Sequence, residues 1–340
     1  MWEWLLFFLV IFVYIHVVQQ FKYSEENEVF EMDYVDNANL QEACQLMQPV
    51  VFKCTDAFPS LPTLETPTLH VYDTESPKYP VPMPFLVARE LMNQDAPSSP
   101  SKKYYSEHNE EWLKSSDVYD KIQELDGYLR PPLNAVTIHD VNMGAVGSYT
   151  PFRYHVSSRK FLVVVSGKLS VKMTPWKKHA KHLHEERDYE LGEYRSQVNV
   201  WEPKEHHRRD VTKTDFLEFD VEAGYIVSIP SYWGYSVQYS APRTCMVEYT
   251  YSTWSNQLAF VGEWGRRWLQ LQNVYYSSMP TRSTKKIPEI PKEGDALEST
   301  PEPKDESIEP ALAKPSEEEA VVLSPIASGE EAVVIPNLVE

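Results

Sequence analysis

The apolar and polar positions change period several times along the chain. Residues 4–18, WLLFFLVIFVYIHVV, form a 15-residue apolar run interrupted only by His16. As a helix rising roughly 1.5 Å per residue it reaches about 22 Å, short of the ~30 Å hydrocarbon core unless Trp2, Gln19 and Gln20 are recruited. From about Asn134 strand-like segments take over. In KFLVVVSGKLSVKM, residues 160–173, the positions after Gly167 alternate: Leu169, Val171 and Met173 share one face and Lys168, Ser170 and Lys172 the other, which predicts a half-buried strand. DFLEFDVEAGYIVSIP, SYWGYSVQYS and RTCMVEYTYSTW continue as short β segments separated by turn residues, which predicts an antiparallel barrel or sandwich. Beyond them Phe260, Trp264, Trp268 and Leu271 recur at helical spacing and predict a helix whose apolar stripe packs on the barrel.

Upstream, residues 23–133 mix Pro-rich extended pieces (SLPTLETPTLHVYDTESPKYPVPMPF) with short helical ones (SSDVYDKIQEL), the pattern of a wrapping arm. At the other end, residues 281–340 hold 14 acidic and 6 basic residues, 8 prolines and no aromatic. Such a segment buries too little apolar surface to offset its ordering entropy, so disorder is expected. Its near-repeat, EEEAVVLSP and EEAVVIPN, is a docking motif for a protein partner or low-complexity drift. These patterns divide the chain into a transmembrane signal anchor at 1–22, the arm at 23–133, a barrel at 134–254, a packing helix at 255–279 and a disordered acidic tail at 280–340.

The whole chain has 340 residues and a net charge of −18, which argues against nucleic acid, since binding phosphates needs clustered positive charge. Three cysteines, Cys44, Cys54 and Cys245, form no disulfide framework and no zinc spacing. They are three free thiols or include a Cys44 to Cys54 bridge. Glu3 in place of a basic residue, and no small-x-small site after the apolar run, favour an uncleaved anchor over a signal peptide. A single-pass membrane protein is expected. Lys22, the only nearby basic residue, favours a cytoplasmic side for the chain beyond the anchor, but the membrane and the topology stay open.

Two stretches resemble the JmjC and cupin-like family of Fe(II)/2-oxoglutarate oxygenases, whose fold is a double-stranded β-helix. Residues 144–176, GAVGSYTPFRYHVSSRKFLVVVSGKLSVKMTPW, resemble the family's first metal-ligand strand and the strand after it, with Thr150, Pro151 and Gly167 as landmarks. Residues 221–239, VEAGYIVSIPSYWGYSVQY, resemble its G-D-x-x-x-I-P-x-x-W-x-H-x-V strand pair, with Gly224, Pro230 and Trp233 as landmarks and Tyr225 where the family has Asp. The resemblance implies a mainly β fold, a double-stranded β-helix (cupin or jelly-roll-like) barrel with flanking helices. It does not carry the family's chemistry with it. The metal-ligand positions hold Arg153, His155 and Tyr235, and a guanidinium has no lone pair to offer a metal. The 2-oxoglutarate lysine aligns with Leu169, which the strand period turns inward, while Lys168 turns inward only through a bulge at Gly167.

No cofactor is therefore expected, and Fe(II) with 2-oxoglutarate belongs to the alternative of an active hydroxylase with rearranged ligands. The His-rich insertion, with His179, His182, His184, His206 and His207 among charged residues, reads as a solvated loop, although a metal site there is the competing idea. His139 and His155 read as hydrogen-bonded core histidines. Arg153 either pairs with a buried acid, such as Glu218, Glu222 or Glu248, or holds a small anionic ligand in the former active site. The leading expectation is a membrane-anchored degenerate domain serving as an interaction or ligand-binding module.

Overall fold

The computed structural model describes residues 2–53, 68–93, 103–116 and 118–276, which fall within one compact unit, Met1–Thr281. The N-terminal part and the arm contain α1 (Trp2–Gln19), β1 (Phe30–Met32), α2 (Asn37–Gln45), β2 (Val50–Lys53), β3 (Thr68–Asp73), β4 (Ser76–Pro84), α3 (Phe85–Asn93), β5 (Tyr104–Ser106), α4 (Glu110–Lys114) and α5 (Tyr119–Leu129). Then come β6 (Asn134–Gly144), β7 (Arg153–Tyr154), β8 (Arg159–Ser166), β9 (Lys168–Pro175), α6 (Trp176–Leu183), β10 (Glu185–Asp188) and β11 (Glu193–Ser196). A 3-10 turn (Glu205–His207), α7 (Arg208–Thr212), β12 (Leu217–Glu222), β13 (Tyr225–Ile229), β14 (Trp233–Tyr239), β15 (Thr244–Thr253), α8 (Trp254–Ala259) and α9 (Val261–Tyr276) complete it. The predicted tail, 280–340, lies outside the described residues.

The fold is mixed α/β and its strands form two large sheets. One runs β1-β2-β13-β8-β15-β6-β5-β3-β4 and the other β10-β11-β7-β14-β9-β12. The expectation of a mainly β barrel is corrected here: the fold is mixed α/β, and the two sheets of the described residues do not close into a barrel. The arm extends the large sheet, adding β1 and β2 beside β13 and adding β5, β3 and β4 beside β6. Prolines at 77, 80, 82 and 84 sit in β4, the outermost strand, where a missing backbone donor breaks no inner ladder and discourages edge pairing.

Inner faces of both sheets meet in one apolar layer, with Leu162, Val164, Val227 and Ile229 from the large sheet against Leu169, Val171, Met173, Trp233 and Val237 from the small one. Strand β9 alternates as its sequence predicts, with Leu169, Val171 and Met173 fully buried. The outer face of the large sheet is covered by the arm helices through Leu40, Leu113, Ile122, Leu125 and Leu129. The arm thus supplies most of the core on that face.

Two local expectations change. The His-rich insertion is ordered: Trp176, His179 and Leu183 in α6 are buried at helical spacing, and β10 and β11 add to the small sheet through β7. Helix α9 does not lay its stripe on the sheets. Trp264 and Trp268 are 43% and 60% exposed, and only Phe260, in the bend between α8 and α9, is buried. Helix α1 is apolar all round with no buried residue, long enough to cross a membrane or to be a signal sequence.

Candidate functional site

The positions singled out by the resemblance converge on the inner face of the small sheet. In the register β11, β7, β14, residue Arg153 lies directly opposite Arg195 on one side and Tyr235 on the other. Directly opposed residues share a face, so all three side chains project together. Arg153 is 5% exposed and Tyr235 2%. The Arg153 guanidinium carbon stands 5.8 Å from the centroid of the Tyr235 ring.

Arg153 pairs with none of the three expected acids. Its Nη1 and Nη2 donate to Glu107 at 3.0 and 2.6 Å, and Nη1 also donates to Glu193 at 2.9 Å. Glu193 in turn accepts from His108 Nε2 at 3.1 Å and from Arg195 Nε at 2.8 Å. That carboxylate reconciles two arginines which their register sets side by side. Burial works against its charge, but Arg153, His108 and Arg195 hold the Glu193 pKa well below the usual carboxylate range. Burial likewise opposes a charged His108, yet Glu107 and Glu193 raise its pKa to about 9. His108 therefore carries both ring protons near neutral pH, and its Nδ1 donates to the Tyr72 hydroxyl at 3.0 Å.

Glu107 is aimed inward by the turn after β5. Asp140 on β6 accepts from the His108 and Asn109 backbone amides at 2.7 and 2.6 Å. Asn109 Nδ2 donates to the Val141 carbonyl at 2.8 Å. Held at both ends, the turn leaves the Glu107 side chain 1% exposed beside Arg153.

A second ion pair closes the other side of Tyr235. Lys160 of β8 donates to Glu248 of β15, and its ammonium lies 5.7 Å from the Tyr235 centroid. His155 Nε2 donates to the Ile229 carbonyl at 3.0 Å. Burial, aided by Lys160, lowers the His155 pKa to about 3, so the ring stays neutral. Burial raises the Tyr235 pKa, so the phenol keeps its proton.

This donor set does not fit Fe(II). Arg153 has no lone pair, Tyr235 is a neutral phenol, two cations flank the space, and His155, with Nε2–H donated to a carbonyl, offers Nδ1 as a single nitrogen lone pair. Nor does the cofactor position fit 2-oxoglutarate. Leu169 is fully buried among apolar side chains, and Lys168 points outward to Asp220 at 2.9 Å. The chain is irregular near Gly167, with a register shift in the β8 and β15 pairing, but the shift does not turn Lys168 inward. Gly167 takes φ +77°, and a Cβ there would lie 2.7 Å from the Thr244 backbone, which explains glycine at that turn.

The remaining landmarks make turns and contacts between strands. Thr150 Oγ1 accepts from the Val237 amide at 3.0 Å, with Pro151 next in the chain entering β7. Gly224 makes the β12 to β13 turn at φ +89°. The Pro230 carbonyl accepts from the Trp233 amide at 3.3 Å, and buried Trp233 reaches the Met47 carbonyl through Nε1 at 3.1 Å. Glu218 is 55% exposed beside Lys172, and Glu222 is exposed on β12. Cys44 is a buried free thiol 3.5 Å from Ser228 Oγ and Cys245 is also free, whereas Cys54 lies outside the described residues.

The histidines of the insertion are partly tied down. His182 Nδ1 and His184 Nε2 pair with Asp210 at 3.0 and 3.1 Å, and His207 stacks on His184. Among the described residues, no group of three or more His, Cys, Asp or Glu side chains is placed to share one ion. Glu107, His108, Glu193, Arg195 and Lys160 escaped the sequence reading. The first two lie in the arm and the next two in the supposed loop, where no periodicity marks an inward residue. Compared with models of known protein families and with curated proteins, the chain matches none.

Proposed function

We propose that this chain is a membrane-anchored, degenerate JmjC/cupin-like domain, a double-stranded β-helix without oxygenase activity that serves as an interaction module. The allotment of strands supports the fold reading: β6, β8, β13 and β15 share one sheet and β7, β9, β12 and β14 the other. This is the alternation of a two-sheet jelly roll. The apolar helix α1 supports the anchor, and the acidic segment from residue 281 onward offers a charged tether for protein partners.

One observation carries the functional reading: the first ligand position is a buried arginine clamped bidentately by Glu107. Ion pairing seals the interior where a reacting centre would sit, because the guanidinium satisfies Glu107 and Glu193 instead of facing a substrate. Fold and chemistry are separable, and on this reading only the fold has been kept.

Calorimetric titration of the detergent-solubilised full chain with Mn(II), then with 2-oxoglutarate, tests the proposal. The expected result is no binding of either. Mn(II) binding that is lost in His155→Ala, followed by metal-dependent 2-oxoglutarate binding, would restore the oxygenase. Metal-independent 2-oxoglutarate binding lost in Arg153→Ala would instead identify an anion pocket.

A further inference from the structure

Helices α8 and α9 turn their apolar side outward. Trp254, Leu258, Val261, Trp268 and Leu269 are 52–69% exposed, and Trp264 is 43% exposed. What attaches α9 to the protein is its polar edge. Arg267 Nε and Nη2 donate to the Tyr189 and Glu190 carbonyls at 3.0 and 2.9 Å, and Glu263 accepts from Arg187 Nη1 at 3.0 Å. Isolated exposed apolar residues are ordinary, but a contiguous tryptophan-rich stripe over two helices marks a contact surface.

The position of α1 identifies what covers that surface. Helix α1 packs against α8. Just beyond its end, the Phe21 ring lies 5.3 Å from the Phe260 ring, in the bend between α8 and α9. Lys177 Nζ donates to the Phe21 carbonyl at 3.4 Å and lies over the rings of Tyr23 and Tyr232 at 4.1 and 4.0 Å. The stem that leaves α1 is thus held on the protein beside the exposed stripe. If α1 crosses a bilayer, this stem lies at the lipid–water boundary and brings α8 and α9 to the same level. Tryptophan suits that level, with an apolar body and one N–H for the headgroup region.

We infer that the outer face of α8 and α9 is a second membrane contact, lying in the headgroup–acyl boundary of the bilayer that α1 crosses and fixing the domain's orientation on it. An amphipathic helix in this setting sinks its apolar face about 5–10 Å into the boundary. The inference rests on the reading of α1 as a membrane span.

The test places the full-length chain in phosphatidylcholine nanodiscs containing a photoactivatable phosphatidylcholine, with the reactive group on the acyl chain near the headgroup. Adducts are mapped by peptide mass spectrometry. Adducts are expected on α1 and on residues 254–272, and none on the outer strand β4. Replacing exposed residues, Trp268→Glu with Leu269→Glu, lowers labelling of residues 254–272 several-fold and leaves α1 labelling unchanged. Labelling of α1 alone would overturn the inference while leaving the anchor intact. Labelling of neither would overturn both. Cross-links joining this face to a second copy, with no lipid adducts on it, would assign it to a dimer and overturn the inference.

Discussion

Arg153 shows how a single residue type decides chemistry inside an otherwise ordinary frame of strands and turns. A guanidinium in this place requires acids around it, and Glu107 and Glu193 supply them. Removing one partner of a buried pair is costly, whereas replacing both by apolar groups is often tolerated. Glu107→Leu alone is therefore expected to destabilise the fold by ~3–5 kcal/mol. The double variant Glu107→Leu with Arg153→Met is expected to lose less than the single, and denaturant unfolding of the set measures the difference.

The buried histidines set a pH optimum. His155 and His139 have pKa values lowered to about 3 and about 4, chiefly by burial. Below the unfolded value of about 6.5 the unfolded chain takes up protons that these two refuse, so stability falls as pH drops from about 6.5 toward 3. Asp140, lifted to about 6 by burial, opposes this in part, while Glu193 and Glu248, held low against burial by their cationic neighbours, add to the loss at acid pH. On the alkaline side His108, raised to about 9, contributes stability fully below about 6.5 and loses it as pH rises through 9. Thermal unfolding across pH is expected to give the highest Tm near pH 6.5. His108→Gln is expected to flatten the alkaline limb.

Among the elements, β9 was legible because its period of two needs only half-burial, and the two sheets impose that pattern from one side. The turn at Gly167 is equally local in origin. Gly167→Ala is expected to destabilise by more than ~1 kcal/mol, since a left-handed φ and the Thr244 backbone both oppose a Cβ. Denaturant midpoints would measure it. Helix α9 was legible as a helix and misread in its facing. Amphipathic period gives the angular position of a stripe but not which side the protein lies on, and here Arg267 and Glu263 find partners in the β10 and β11 region first. The supposed His-rich loop was misread for a related reason: α6 buries only Trp176, His179 and Leu183, too few apolar residues to stand out among lysines and histidines.

At the scale of the whole molecule, the proposed span by α1 and the inferred contact of the exposed α8 and α9 face are tested together. Deleting residues 2–19 is expected to move the expressed chain from the membrane pellet toward the carbonate-extractable fraction, as read by flotation and alkaline extraction. Residual flotation of that truncated chain, lost on Trp268→Glu with Leu269→Glu, is the expected sign of the second contact.

The sequence by itself determined the apolar helix, the β segments from residue 134 onward, the inward facing of Leu169 and the inability of Arg153 to bind a metal. Each comes from side-chain chemistry or from a period read within a dozen residues. Only the tertiary structure decided that Glu107 and Glu193 neutralise Arg153, that the arm supplies one of these acids and extends the large sheet, and that α9 shows its tryptophans outward. Those outcomes depend on strand register and on contacts distant along the chain, 40 and 46 residues for the Arg153 pairs and 76 to 78 for those of α9, which no local pattern encodes.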